Sequence, residues 1–254
     1  MPYVDNEGVK IHYHVEGNGP DIVMQHGLTN SIKNWYAYGF VEELQKSNRL
    51  ILIDARGHGK SDKPHDPEAY DLKLRVNDVL SVMDDLNIDK AHYMGYSMGG
   101  RIGFGIVLYA LDRFNSLIIG GMSADTPNTD IPPEDRINLL RQGMDAYVED
   151  SENNEGPMEN ARRERLLDND PDALIAATIA PRGTDGVEDK LPDIRLPCLL
   201  YCGDADGYFE AAKESAALIP TAMFVEIPGL NHGQVARSGS EVLPHVTRFL
   251  NGIK

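Results

Sequence analysis

Short runs of consecutive apolar residues recur along the chain, and between them apolar positions step by three and four. The runs Asp21–Gln25, Leu50–Asp54, Ala91–Met94, Ser116–Ile119, Cys198–Cys202 and Met223–Ile227 have the length and composition of buried strands. Near the start, Gly8–His14 alternates between outward and inward residues behind the turn Asp5–Gly8, which predicts an exposed antiparallel hairpin. The clearest helical pattern places Leu72, Val76, Val79, Leu80, Met83 and Leu86 on one face. Strands alternating with helices predict an α/β fold, a mostly parallel, doubly wound sheet of about eight strands. From Met122 to Asp193 no strand pattern occurs, and helical stretches such as Arg136–Tyr147 and Glu159–Asp168 dominate. Residues 1–121 and 195–254 are therefore expected to form the core, and 122–194 a small helical cap inserted into it.

Charge sharpens this division. The chain of 254 residues carries 40 acids against 24 Lys and Arg, a formal charge of −16. Residues 122–194 hold 18 of those acids and 7 of the bases, hence −11 of the total. Such a field repels phosphate backbones and anionic bilayers, so neither nucleic acid nor membrane is an expected partner. The opening residues lack a basic segment followed by an apolar one, and no run approaches the roughly 18 apolar residues of a membrane span. A cytoplasmic protein is expected. Cys198 and Cys202 lie on one strand, about 13 Å apart, beyond disulfide reach, and with no further ligand nearby they predict two buried, reduced thiols rather than a metal site.

The sharpest chemical signal is Gly95-Tyr-Ser97-Met-Gly99-Gly100, directly after one strand run and directly before a helical one. A serine on so tight a strand-to-helix turn takes strained backbone angles, and small residues two before and two after keep the turn from colliding with itself. A serine hydroxyl needs a base, and the base an orienting acid. His232, in Gly229-Leu-Asn-His232-Gly233, follows the last strand run, and Gly203-Asp204-Ala205-Asp206 follows the run before it. The order Ser, Asp, His fits a nucleophile on an elbow, with each group beyond a strand's carboxyl end. Gln25-His26-Gly27-Leu28 follows the first buried strand, and the backbone amides of Leu28 and Met98 are the candidate oxyanion donors. His26 itself is expected to brace that loop. Trp35, the single tryptophan, and Met122, after Gly120-Gly121, are candidate substrate-pocket residues, with packing at a helix start as the other reading of Trp35.

Taken together, His26-Gly27, Asp54-Ala-Arg-Gly57-His-Gly59-Lys-Ser61-Asp62, the Ser97 elbow, Gly203–Asp206 and His232 resemble the α/β-hydrolase fold superfamily along essentially the whole chain, in its serine-nucleophile esterase and perhydrolase-like branch. The resemblance implies a structural role for the Asp54–Asp62 loop and makes Asp206 the acid, with Asp204 and Asp125 as alternatives. Members that open epoxides or displace halide carry aspartate where this chain has Ser97, which disfavours those chemistries. The variant Gly-Tyr-Ser-Met-Gly-Gly-Arg also resembles a proton-abstracting synthase of menaquinone biosynthesis, for which Arg101, Arg162, Arg163 and Arg165 could grip a polycarboxylate, although the acidic 122–194 segment opposes a polyanion.

The reading is a carboxylic ester hydrolase that cleaves a small or medium ester through an acyl-enzyme, with Ser97, His232 and Asp206 as its triad. It expects a small-molecule ester as partner and neither metal nor organic cofactor. Two other readings stand beside it: a carbon–carbon hydrolase, lactonase or lyase on the same triad, and a non-catalytic binding protein on the hydrolase scaffold.

Overall fold

The computed structural model describes residues 2–124, 133–180 and 187–253. Its eight strands are β1 (Tyr3–Asn6), β2 (Val9–Gly17), β3 (Asp21–Gln25), β4 (Arg49–Ile53), β5 (Ala91–Tyr96), β6 (Phe114–Gly120), β7 (Cys198–Gly203) and β8 (Ala222–Ile227). They form one sheet in the order β1-β2-β4-β3-β5-β6-β7-β8. β1 and β2 make an antiparallel hairpin, β2 runs antiparallel to β4, and every pairing from β4 to β8 is parallel. The hairpin turns at Glu7 and Gly8, both at positive φ, as a two-residue turn matched to strand twist requires.

The helices are α1 (Ile32–Ala37), α2 (Phe40–Leu44), α3 (Leu72–Asp85), α4 (Met98–Tyr109), α5 (Pro133–Leu140), α6 (Met144–Glu155), α7 (Asn160–Leu167), α8 (Pro171–Ile179), α9 (Val187–Lys190), α10 (Phe209–Leu218), α11 (His232–Arg237) and α12 (Gly239–Gly252). Because strand side chains alternate, each central strand feeds two layers. Val23, Ile51, Ile53, Tyr93, Leu117, Ile119 and Leu200 pack with α3 and α4. Their neighbours Ile22, Met24, Leu50, Leu52, Met94, Ile118 and Leu199 pack with α1, α2 and α12 on the other face. This double burial explains why the strands read as continuous apolar runs. α3 begins where the Asp71 carboxylate accepts the Lys73 N–H at 2.8 Å, and it buries Leu72, Val76, Val79 and Met83.

One helix boundary differs from the pattern reading. The stretch 136–147 is two helices, α5 ending at Leu140 and α6 starting at Met144, with Gly143 at φ 95 between them. The apolar period runs through this break because Leu140 and Met144 share one small cluster with Leu174 of α8. Among the described residues between β6 and β7 there is no strand. No helix among the described residues is long and apolar enough to cross a membrane.

Candidate active site

The loops that leave the carboxyl ends of β3, β5, β7 and β8 converge. Ser97 stands between β5 and α4 at φ 54 and ψ −111, a left-handed conformation foreign to serine and held by its surroundings. A Cβ on Gly95 would lie 2.3 Å from the Gly99 carbonyl oxygen, and one on Gly99 only 2.1 Å from that of Gln25. The first contact closes the elbow upon itself, and the second seats it against the end of β3. The Ser97 N–H donates to the Gly120 carbonyl at 2.8 Å, which ties the turn to β6 as well.

His232 opens α11, whose Asn231 cap accepts the Gln234 N–H at 3.0 Å. Its Nδ1 lies 2.8 Å from Asp206 Oδ2 and its Nε2 lies 2.8 Å from Ser97 Oγ. Asp206 is 6% exposed. Burial works against its charge, yet the hydrogen bond and charge of His232, then the Tyr208 amide and the Cys202 thiol, hold the carboxyl below its usual range. A charged carboxylate only accepts, so Nδ1 carries the proton and the Nε2 lone pair faces the serine hydroxyl. Tyr96 and Tyr208 stack near the imidazole at 5.3 and 5.4 Å, and the Tyr96 hydroxyl donates to the His232 carbonyl at 2.6 Å.

Of the alternative acids, Asp204 faces elsewhere and accepts the Gly229 N–H at 2.6 Å. Asp125 lies outside the described residues. Both cysteines are free and buried; burial raises the Cys198 thiol to about 12, and it raises that of Cys202, which sits beside Asp206, further still.

Gly27 brings the β3 loop against the elbow, since a Cβ there would touch Ser97 Cβ at 3.4 Å. Neither the Leu28 nor the Met98 amide donates a hydrogen bond among the described residues. His26 braces this loop: its Nδ1–H donates to the Gly27 carbonyl at 2.8 Å and its Nε2 accepts the Ala55 N–H at 3.1 Å. The Asp54–Asp62 loop packs beneath. Asp54 accepts the Ile32 and Lys60 amides at 2.8 and 3.0 Å, and Arg56 pairs with buried Asp78 at 2.6 Å. His58 lies 5.2 Å from His26, ring to ring, with Nδ1 on the Arg56 carbonyl and Nε2 buried without a partner.

Burial, helped by the charge of His26, pulls the His58 imidazole from its ordinary 6.5 to about 3. Between those two values the unfolded chain binds a proton that the folded chain excludes, so stability declines as pH falls through about 6.5. The loss from His58 should approach about 1.4 kcal/mol per pH unit. Urea unfolding measured at intervals between about pH 6.5 and pH 4.5 should show this slope, and His58→Gln should flatten it. An unchanged slope in that variant would mean that other groups carry the acid sensitivity.

Two cavities meet at Ser97. The larger one, about 240 Å³, includes Leu28, His232 and Tyr147 in its wall. The smaller one, about 100 Å³, includes Met98, Met122 and Tyr208 and does not touch His232. Met122 is in the wall of the smaller cavity, with Arg101 Nη2 3.1 Å from its sulfur. Trp35 lies elsewhere. It is 4% exposed, with its ring set edge-on to Phe40 at 5.0 Å, because α1 turns it into the layer shared with α2 and α12. It packs the core and lines neither cavity.

Sequence reasoning missed the strength of the cationic lining. Arg136, Arg162, Arg165 and Arg237 face the larger cavity, and Arg75, Arg101 and Arg136 the smaller one. Arg163, also a candidate, lines neither and pairs with Glu152 at 2.8 Å. Arg75 donates to the Tyr70 and Ala177 carbonyls, and burial lowers its guanidinium to about 10. Arg162 and Arg165 were legible as Arg-Arg-x-Arg on one short helix, whereas Arg75, Arg136 and Arg237 stand singly in the sequence and carry no such signal.

Residues 20–162 match the family model described as alpha/beta hydrolase fold. A protein of Bacillus subtilis (strain 168), assigned provisionally as a 2-succinyl-6-hydroxy-2,4-cyclohexadiene-1-carboxylate synthase, is 28% identical, with 89% of each chain covered. The 3-oxoadipate enol-lactonase 1 of Acinetobacter baylyi (strain ATCC 33305 / BD413 / ADP1) is 28% identical across 74% of this chain and 72% of its own. Among solved structures, the enol-lactonase from Burkholderia xenovorans LB400 superimposes with a TM-score of 0.83 at 26% identity, covering 98% of this chain and all of the other. With its sheet order, its serine elbow and these relatives, the chain belongs to the alpha/beta hydrolase fold family.

Proposed function

We propose that this protein is a serine-nucleophile hydrolase of carboxylic esters and lactones. One observation carries the reading: Ser97, His232 and Asp206 stand in a single hydrogen-bonded line. Ser97 Oγ attacks the carbonyl carbon while His232 Nε2 takes its proton, and the C=O electrons move onto oxygen. The Leu28 and Met98 amides meet that oxyanion, each worth roughly 3 kcal/mol. Collapse expels the alcohol, which takes the proton from His232, and water then repeats the attack on the acyl-enzyme. Because the leaving oxygen must reach His232, the alcohol half occupies the larger cavity and the acyl half the smaller one.

The guanidiniums of Arg75, Arg101 and Arg136 in the smaller cavity's wall favour an acyl half that ends in a carboxylate. The names of two relatives, an oxoadipate enol-lactonase and a cyclohexadiene-carboxylate synthase, fit an anionic substrate. The second name also supports a lyase reading, in which the Ser97–His232 pair abstracts a proton from carbon.

A panel of p-nitrophenyl esters of acetate, butyrate and succinate, with an enol-lactone added, separates these readings. Turnover of esters with a p-nitrophenol burst, greatest for the hemisuccinate, is the expected result. Labelling of Ser97 by a fluorophosphonate with no ester or lactone turned over would exclude the hydrolase.

A further inference from the structure

The loop that leaves β3 turns over Gly27–Asn30, where the Asn30 N–H donates to the Gly27 carbonyl at 3.2 Å. The third residue of that turn is Thr29, at φ 64. Glycine ordinarily fills such a position, and a β-branched residue keeps it only where its surroundings fix it. Asn169, just past the end of α7, supplies the constraint. Its Nδ2 donates to the Thr29 carbonyl at 2.9 Å and lies 3.1 and 3.0 Å from the Arg165 and Leu166 carbonyls. Three oxygens around one end of the side chain require the NH₂ group there. One group thus closes the last turn of α7 and reaches the β3 loop of the core.

A trans peptide is planar, with its N–H and C=O pointing opposite ways. The Thr29–Asn30 peptide is therefore held at one end by Asn169 and at the other by Gly27. The Gly27–Leu28 peptide has its carbonyl held by the Asn30 N–H and by His26 Nδ1, at 3.2 and 2.8 Å, and presents the Leu28 N–H at its opposite end. Leu28 and Ser97 both line each of the two cavities. We infer that Asn169 is a positioning residue: by fixing the Thr29 carbonyl it sets, through the Asn30–Gly27 hydrogen bond, the direction in which the Leu28 N–H meets the oxyanion. The inference rests on the hydrolase reading, in which that amide receives the developing charge. Such a donor accelerates the reaction only when it is aimed beforehand, so a turn free to relax at Thr29 costs rate rather than affinity for the ester.

Asn169→Ala and Asn169→Leu both remove the donor, the second at nearly unchanged volume. On p-nitrophenyl butyrate each should lower kcat by roughly 10- to 100-fold with KM within about threefold of wild type. The matching thionoester, with sulfur in place of the carbonyl oxygen, probes the amide itself. Sulfur accepts hydrogen bonds weakly, so the preference for oxygen over sulfur in kcat/KM reports the aimed donor, and both variants should shrink it by roughly three- to tenfold. A merely structural part for Asn169, such as holding α7 wound, would move KM and slow both esters alike. Asp168→Asn is the control, because the Lys33–Asp168 pair joins the same end of α7 to α1 at 2.6 Å without a bond to the Gly27–Asn30 turn. Its kcat and its oxygen-to-sulfur preference should stay at the wild-type values, with thermal unfolding showing each variant folded. An unchanged preference in the Asn169 variants, or the same change in Asp168→Asn, overturns the positioning role. Turnover by the wild type of neither ester, with an enol-lactone also left intact, overturns the hydrolase reading and this inference with it.

Discussion

Replacing Ser97 by alanine should lower kcat/KM for p-nitrophenyl butyrate by roughly 10⁴- to 10⁶-fold, while the protein stays folded. The expectation follows from geometry. The Ser97 side chain makes its hydrogen bond to His232 Nε2 at 2.8 Å, and its backbone, not its hydroxyl, is what the elbow secures to β6. Alanine keeps the backbone contact and removes the atom that would attack. On the proposed mechanism, what would survive is the stabilisation provided by the Leu28 and Met98 amides and by binding alone. The measurement needs highly purified protein, a thermal melt to show the fold intact, and an ester whose background rate is known. Residual activity within tenfold of wild type would place the nucleophile elsewhere.

Asp206→Asn should cost about 10⁴-fold in kcat. An asparagine at this position can turn its NH₂ toward Nδ1, so the imidazole would carry its proton on Nε2 and present a donor to Ser97 where an acceptor is needed. The charge that steadies the imidazolium during transfer is lost as well. Asp204→Asn is the matched comparison. The amide oxygen of the substituted side chain could still accept the Gly229 N–H now held at 2.6 Å by the Asp204 carboxylate, so a change of only a fewfold is expected. Steady-state kinetics on both variants, with circular dichroism to verify folding, decide the matter. Greater damage from the Asp204 change in a folded protein would reassign the acid.

The elbow was legible because strain leaves a composition behind it: only glycine fits at 95 and 99, so the residues announce the turn. His232 was legible through order, as a histidine beyond the last parallel strand. The carboxylate that meets His232 was harder, because Asp204 and Asp206 both follow β7, and nothing local says which way the loop bends. The Asp206 N–H bonds to the Gly203 carbonyl at 3.1 Å, closing a turn that aims the second carboxylate inward and leaves the first on the β8 loop. For Trp35 the sequence left a pocket wall and core packing both open, because distance along the chain from the β3 loop says nothing about which face of α1 it occupies. The arginines were obscured by summing charge. Asp145, Glu149, Asp150, Glu159, Glu164 and Asp168 are exposed, whereas Arg136, Arg162 and Arg165 turn to the cavity. A net −11 over residues 122–194 is an average over two surfaces of opposite sign.

The Ser97–His232 contact joins residues 135 positions apart. Closing so long a loop in a flexible chain costs about 4 kcal/mol from length alone. The elbow needs only its own glycines and the neighbouring strands. The line to His232 needs β6, β7 and β8 all paired in register, because two strands separate β5 from β8 in the sheet. The contact is a gauge of strand order across half the sheet: a slip of one residue between any neighbours from β5 to β8 would carry the imidazole about 3.3 Å from the hydroxyl, the rise of one strand residue, and open the line.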